Sequence, residues 1–391
     1  MSMEKTPMSM RKHVLMVGKT NAGKSTLMNA LLGQEAAIVS AVAGTTTDPV
    51  VKAMELIPYG PIALIDTAGF GDQGALGGKR MEKTRQLFQR ADLILWVCDA
   101  AAPEEAPKTD KTPVILVYTK SELLEPDKRA YMQKEYPDAV FLSGHARDGI
   151  DVLKARMIQA LKEQERDDET LLGDLLPKGS CVVMVVPIDS AAPKGRLILP
   201  QVQLIRDCLD HDMKAYVTKE TTLADALSDL KKVDLVVTDS QAFAVVDKIV
   251  PQDIMLTSFS MLLARQKGNF SQYLEGAAAI ARLKTGDKVL VLEGCTHNST
   301  HEDIGRVKLP RLIEKKTGAK CEYQYLTGYT FCDNVEDYAL VLSCGMCMIN
   351  KQEVQSRLKT LLERGVPTVN YGVALAYLNG ILDRAKELFC K

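Results

Sequence analysis

Gly18-Lys19-Thr20-Asn21-Ala22-Gly23-Lys24-Ser25 is the stretch from which the fold of this chain is read. It fits G-x-x-x-x-G-K-S/T, a loop whose glycines let backbone N–H groups wrap phosphate oxygens. The loop follows the apolar run His13–Val17 and opens the helical pattern Lys24–Leu32. The first helical turn, with Thr26 in it, therefore aims its unsatisfied N–H groups and partial positive charge at the same anion. Asn21, Ala22 and Gly23 form the cradle, Lys24 reaches the β/γ-phosphates, and Ser25 ligates Mg²⁺.

Further segments separate a GTPase from a generic ATPase. Gly44-Thr45-Thr46-Thr47-Asp48 has the make-up of a loop in which a threonine, Thr46 or Thr47, closes over Mg²⁺ and the γ-phosphate. Asp66-Thr67-Ala68-Gly69 ends the run Ile62–Ile65, with Asp66 placed to hold Mg²⁺ through water and the Gly69 N–H to sense the γ-phosphate. Thr119-Lys120-Ser121-Glu122 follows another strand where base recognition belongs; Glu122 stands in place of the usual aspartate, one methylene longer. Ser143-Gly144-His145 is placed to offer backbone contacts to guanine O6. The order and spacing resemble GTPases of the TrmE–Era type. Phe70 stands where Ras-like enzymes place a water-orienting glutamine, so intrinsic hydrolysis is expected to be slow and switch-like. Asn21 stands where potassium-dependent relatives help to bind K⁺, a charge that can substitute for an arginine finger.

Outward from this loop, Val/Ile/Leu runs at Leu93–Val97, Val114–Tyr118 and Ala139–Leu142 alternate with helical patterns such as Ile150–Lys162. Such alternation predicts an α/β fold with a mainly parallel sheet covered on both faces. The chain's 391 residues exceed one ordinary domain. We expect a GTPase domain over 1–168 and a linker over 169–178, then an α/β domain over 179–267 and an α/β C-terminal domain over 268–391. Strands are expected at Val182–Val186, Asp234–Val237, Lys288–Leu292 and Ala339–Leu342, with helices at Gln201–Leu209, Leu223–Leu230, Gln352–Glu363 and Leu375–Leu388. No internal repeat is evident. A formal net charge of −1 gives no basic field for nucleic acid or an anionic membrane. The polar Met1–Lys12 segment lacks an apolar signal core, so a cytoplasmic, non-membrane protein is expected.

In a reducing compartment, nine unevenly spaced cysteines indicate metal binding or burial rather than disulfides. Cys295-Thr296-His297 and Cys344-Gly345-Met346-Cys347 each end a Val/Leu-rich strand. If those strands are parallel neighbours, three thiolates converge at the carboxyl edge of one sheet, where open α/β sheets bind ligands. Cys295, Cys344 and Cys347 with His297 match either a zinc site or an iron–sulfur cluster. His297 is the nearest fourth candidate, a structural hydrogen-bonding role being equally open to it; Glu293 and the distant Asp189 are weaker ones. Cys98 and Cys181 flank apolar strands and are expected to be buried.

The combination of a phosphate-loop GTPase, an α/β middle and a C-terminal Cys-x-His…Cys-x-x-Cys module resembles the HydF family of [FeFe]-hydrogenase maturation GTPases. The stretch Val186-Pro187-Ile188-Asp189-Ser190-Ala191-Ala192-Pro193-Lys194-Gly195-Arg196-Leu197-Ile198-Leu199-Pro200-Gln201 looks like that family's hallmark. The resemblance implies a homodimer whose middle domain dimerises and whose C-terminal domain holds a [4Fe-4S] cluster through Cys295, Cys344 and Cys347. It further implies a diiron precursor received from two radical-SAM maturases and delivered to apo-hydrogenase. Many relatives place histidine before the Cys-x-x-Cys pair, where this chain has Ser343. The remaining position must then fall to His297, a carboxylate such as Asp189, water, or the incoming diiron unit. Competing readings are a tRNA or ribosome GTPase with a structural zinc module, and an electron-transfer enzyme.

Overall fold

The computed structural model describes residues 6–33, 50–67, 87–109, 112–143, 149–165, 170–188, 197–294 and 304–390. The chain divides into two compact units, Met1–Asp167 and Asp168–Lys391.

In the first unit the strands are β1 (Lys12–Val17), β2 (Val50–Leu56), β3 (Gly60–Asp66), β4 (Leu93–Asp99), β5 (Val114–Thr119) and β6 (Val140–Phe141). They lie in the order β2-β3-β1-β4-β5-β6, with only β2 antiparallel to its neighbour. Helices described in full are α1 (Lys24–Leu32), α2 (Pro126–Glu135) and α3 (Ile150–Glu165). Alternate strand residues serve two cores, as a sheet covered on both faces requires. Val14, Met16, Leu95 and Val97 pack with Leu27 and Leu31 of α1 and Leu153, Met157 and Leu161 of α3. Leu15, Val17, Ile94 and Trp96 turn the other way, towards Tyr118 and Met132 of α2.

The second unit contains two further sheets. Strands β7 (Cys181–Val185), β8 (Lys214–Thr218), β9 (Leu235–Thr238) and β10 (Met255–Ser258) are parallel, in the order β10-β9-β7-β8. Helices α4 (Leu199–Asp210), α5 (Leu223–Asp229), α6 (Phe243–Ile249) and α7 (Phe259–Lys267) connect or follow them. After α8 (Phe270–Ala279) come β11 (Lys288–Glu293), α9 (Leu309–Thr317), β12 (Glu322–Thr327), β13 (Leu340–Ser343), α10 (Lys351–Glu363), β14 (Thr368–Asn370), α11 (Tyr371–Leu378) and α12 (Leu382–Lys386). These strands are also parallel, in the order β12-β11-β13-β14. Each sheet thus has its second strand on one side of its first, and its third and fourth on the other. The arrangement repeats where the amino-acid sequence shows no repeat. In both, the strand order reverses direction beside the first strand, which places the ligand crevice of such sheets at the carboxyl ends of β7/β9 and β11/β13.

The segment expected as a linker is packed: Leu171, Leu172 and Leu176 join the core around β7 and α4. The helix expected over Leu375–Leu388 starts four residues earlier, at Tyr371, and stops at Leu378. Asn370 caps its start by accepting from the Gly372 N–H, and Gly380 (φ +75°) turns the chain before α12. No helix among the described residues is long and apolar enough to cross a membrane.

Candidate nucleotide site and candidate metal centre

The phosphate loop joins β1 to α1, and neighbouring strands fix its shape. Gly18 lies against β4 so closely that a Cβ there would sit 2.1 Å from the Val97 carbonyl oxygen. Asn21 and Gly23 both adopt left-handed backbone (φ +64° and +88°), which glycine tolerates freely and asparagine better than most residues. Thr119, at the end of β5, donates its hydroxyl to the Ala22 carbonyl at 2.7 Å, tying the base-recognition segment to the loop. The Lys24 ammonium donates to the Gly18 and Lys19 carbonyls at 2.8 and 2.9 Å, so it stands over the cradle.

Ser25 and Asp66 meet beside this cradle, the serine hydroxyl 3.3 Å from Asp66 Oδ2. Asp66 Oδ1 is buried without a hydrogen-bond partner among the described residues. Burial raises the Asp66 pKa, while Lys24 and the Ser25 hydroxyl oppose the rise. A hydroxyl and a half-buried carboxylate form the donor set a hard divalent cation takes, so Mg²⁺ fits here, with Ser25 and Asp66 as the side chains that would hold it. On the base side, Lys120 (φ +56°) pairs with Asp99 at 2.8 Å. That pairing draws the Asp99 carboxyl below its ordinary range. Asp99 is a member of the site that the motif reading missed, although it ends the Leu93–Val97 run two residues on. Glu122 lies exposed in the short turn Ser121–Leu123, and Ser143 is buried just after β6. Thr46, Thr47, Gly69 and Gly144 lie outside the described residues.

In the second unit, β11 and β13 pair in parallel, the arrangement that convergence of the cysteines requires. Gly294, the residue before Cys295, donates its N–H to Cys344 Sγ at 3.0 Å, and the Met346 N–H donates to the same sulfur at 3.3 Å. A Cβ on Gly294 would come within 3.0 Å of Ile349 and 3.2 Å of Met346. A side chain at this position would require Ile349 or Met346 to give way by a few tenths of an ångström, so glycine suits the close approach of this chain to the Cys-x-x-Cys loop. Burial pushes the Cys344 thiol up to about 11, against the pull of its two N–H donors. The N–H pair favours a sulfur that carries negative charge, which a bound metal stabilises by displacing the thiol proton. Cys344 and Cys347 on one turn, with Cys295 two positions past β11, thus fit a thiolate-ligated metal. Cys295, His297 and Asp189 lie outside the described residues, and among those described no three metal-ligating side chains converge.

One neighbour of the loop escaped the sequence reading. Lys267, the last residue of α7, is 6% exposed, and its ammonium donates to the Met346, Cys347 and Ile349 carbonyls. Burial lowers its pKa to about 8, opposed by Cys347 and Cys344. Its position four residues after Leu263 and eight after Phe259, both buried, is the available signal: a lysine set on an apolar stripe. Asn370 adds a second brace, donating to the Cys344 carbonyl at 3.2 Å. Of the other cysteines, Cys98, Cys181 and Cys208 are buried, and Cys321 and Cys332 half-buried.

Comparison with known proteins agrees with this division. A 50S ribosome-binding GTPase family model matches residues 13–120. The tRNA modification GTPase MnmE of Bordetella parapertussis is 37% identical over 155 residues, covering 38% of this chain and 33% of that protein. MnmE of Methylobacterium sp. is 41% identical over 112 residues, covering 28% and 24%. The chain therefore spans about a third or less of the length of these curated relatives. Among solved structures, Era bound to Mg-GDPNP and a 16S ribosomal RNA fragment is 29% identical, with TM-score 0.33, covering 38% of this chain and 56% of that one. The G domain of the T. maritima FeoB iron transporter is 25% identical, with TM-score 0.29, covering 38% and 98%. The hydrogen maturase F dimerization and tetramerization models match 171–268 and 271–388. With these two models covering more than half of the chain behind a GTPase domain, the protein belongs to the hydrogen maturase F family.

Proposed function

We propose that the protein is a GTP-binding and GTP-hydrolysing scaffold that holds a [4Fe-4S] cluster, receives a diiron precursor and delivers it to apo-[FeFe]-hydrogenase. The observation that carries the cluster part is the 3.0 Å contact from the Gly294 N–H to Cys344 Sγ, which puts the approach to Cys295 beside the Cys344–Cys347 turn. Cys295, Cys344 and Cys347 would be three ligands, with His297, Asp189 or an exchangeable group as the fourth. A cluster so held supplies an iron with a replaceable ligand. The chain's own part is to fix two thiolates on one turn and shield them within the fold.

On the nucleotide side, Lys24 and the loop amides would bind the phosphates, Ser25 and Asp66 would hold Mg²⁺, and Thr46, Thr47 and Gly69 would respond to the γ-phosphate. Thr119, Lys120, Glu122, Ser143 and Gly144 would enclose guanine. With Phe70 in place of a water-orienting side chain, hydrolysis would be slow and K⁺-stimulated through Asn21, which suits a switch. Radical-SAM maturases and the apo-hydrogenase are the partners this reading requires, with a homodimer built through the middle domain of a cytoplasmic protein.

The test is anaerobic reconstitution with iron and sulfide, followed by metal analysis and electron paramagnetic resonance. A cluster signal in the wild type that is lost when Cys295, Cys344 and Cys347 are all replaced by alanine supports the reading. Stoichiometric zinc with no competent cluster would sink it. In that case a tRNA- or ribosome-directed GTPase with a structural zinc module would stand instead.

A further inference from the structure

An ammonium has three N–H donors and no acceptor. Lys267 meets three carbonyls, Met346 at 3.1 Å, Cys347 at 3.3 Å and Ile349 at 2.9 Å, all on the Cys-x-x-Cys loop. Only the charged form satisfies all three at once. Burying that charge is costly, and a methionine would fill the same volume without the cost, so the arrangement is one that folding stability alone does not favour. The loop also needs external support. Met346 holds left-handed backbone at φ +48°, which a non-glycine residue adopts at a cost. With its carbonyls turned to Lys267, the loop can turn its Met346 N–H to Cys344 Sγ at 3.3 Å.

We propose that Lys267 is the positioning cation of the Cys344–Cys347 loop, holding it in its ligating conformation before metal arrives and remaining as a fixed positive charge beside the thiolates. Lys267 ends α7, within the segment matched by the dimerization model, whereas the loop lies in the segment matched by the tetramerization model. One side chain therefore ties the metal-ligand turn of one segment to the last helix of the other. A shift of α7 would be felt at the cysteines through it. The role as a charge beside a cluster rests on the reading that Cys344 and Cys347 ligate one; the role in shaping the loop does not.

The test uses the full chain and has two readouts. In the metal-free wild type, hydrogen exchange over 344–350 should be slow, because the loop is already formed. In Lys267→Met the same amides should exchange about tenfold faster, the loss expected when a set of buried hydrogen bonds opens, with exchange in the GTPase unit unchanged. Should Lys267→Met not fold, Lys267→Gln keeps a donor without the charge, and fast exchange in the wild type would by itself overturn the proposal. After reconstitution, the cluster in either variant should have a more negative midpoint potential, since a removed cation no longer favours the added electron. Unchanged exchange together with an unchanged potential overturns the proposal. A wild type that takes up no cluster refutes the cluster reading instead, and the exchange comparison still decides whether Lys267 shapes the loop.

Discussion

Gly23 shows how much of the nucleotide site hangs on one residue. At φ +88°, an added Cβ would lie 3.0 Å from Thr119 Oγ1 and 3.2 Å from Thr119 Cβ. Gly23→Ala therefore strains the loop and pushes on the threonine that anchors Ala22. Fluorescent GDP binding should weaken by at least about tenfold, the equivalent of roughly 1.4 kcal/mol; unchanged affinity would refute the strain argument. His13 poses a different question in the same unit. It is 1% exposed, Nε2 meets the Met8 carbonyl at 3.1 Å, its backbone N–H donates to Asp92, and Arg90 repels its charge. Burial, the largest cause, lowers its pKa from 6.5 to about 4. Above pH 6.5 the imidazole is neutral whether folded or unfolded. Between 6.5 and 4 the unfolded chain takes up a proton that the folded one does not, so stability falls as the pH falls, by up to about 3 kcal/mol. Urea denaturation of His13→Gln should show a flatter pH profile over that window. Lys24 and Ser25 could be read from the sequence because the phosphate loop is a local word with fixed spacing, and Asp66 because it opens a second such word, Asp66-Thr67-Ala68-Gly69, at the end of an apolar strand. Lys267 and Asp99 were not, because their partners lie 79 or more and 21 residues away and only the folded chain brings them together.

At the level of elements, legibility followed burial. The apolar runs at β1, β4, β5, β7 and β11 sit in sheet interiors, so their composition announced them. Strand β8 was missed because its residues 214–217 are exposed on a sheet edge; β12, another edge strand, has exposed and half-buried positions and none that is buried. Strand β14 has three residues, too few for any period. Helix α11 is buried on nearly every side, so it lacks the stripe that marks a surface helix. Helix α10 carries its own test. Arg357 and Glu353, one turn apart at 5% and 6% side-chain exposure, pair at 2.7 Å, and Arg357 also donates to the Gly328 carbonyl after β12 at 3.0 Å. Phe331 lies under the guanidinium at 5.6 Å. Glu353→Ala would leave that guanidinium buried without its counter-charge, a loss of about 3–5 kcal/mol. Chemical denaturation of the second unit should report it, and a change under about 1 kcal/mol would mean that solvent reaches Arg357 far more readily than its burial implies.

For the whole molecule, the two units have separate cores. The first packs its strands between α1 and α3 on one face and α2 on the other. The second shares buried side chains between its two sheets, with Val183, Val185 and Val236 in the same cluster as Val289, Val291 and Val341. Sharing of that kind makes the dimerization and tetramerization segments one cooperative body, although their family models are separate. Sequence could not reveal this, since the repeated strand order leaves no repeated residues. Calorimetry should therefore resolve two transitions rather than three. GTP with Mg²⁺ at about 100 times its dissociation constant adds about 2.7 kcal/mol to whatever binds it. For a unit of 150–250 residues that moves a midpoint by roughly 5–10 °C. Only the transition of Met1–Asp167 should move, and anaerobic iron–sulfur loading should move only the other. If GTP raises both, the nucleotide state stabilises the second unit as well. If GTP also tightens cluster binding, reciprocity demands that cluster loading tighten GTP binding by the same factor, which a titration on loaded and unloaded protein would measure directly.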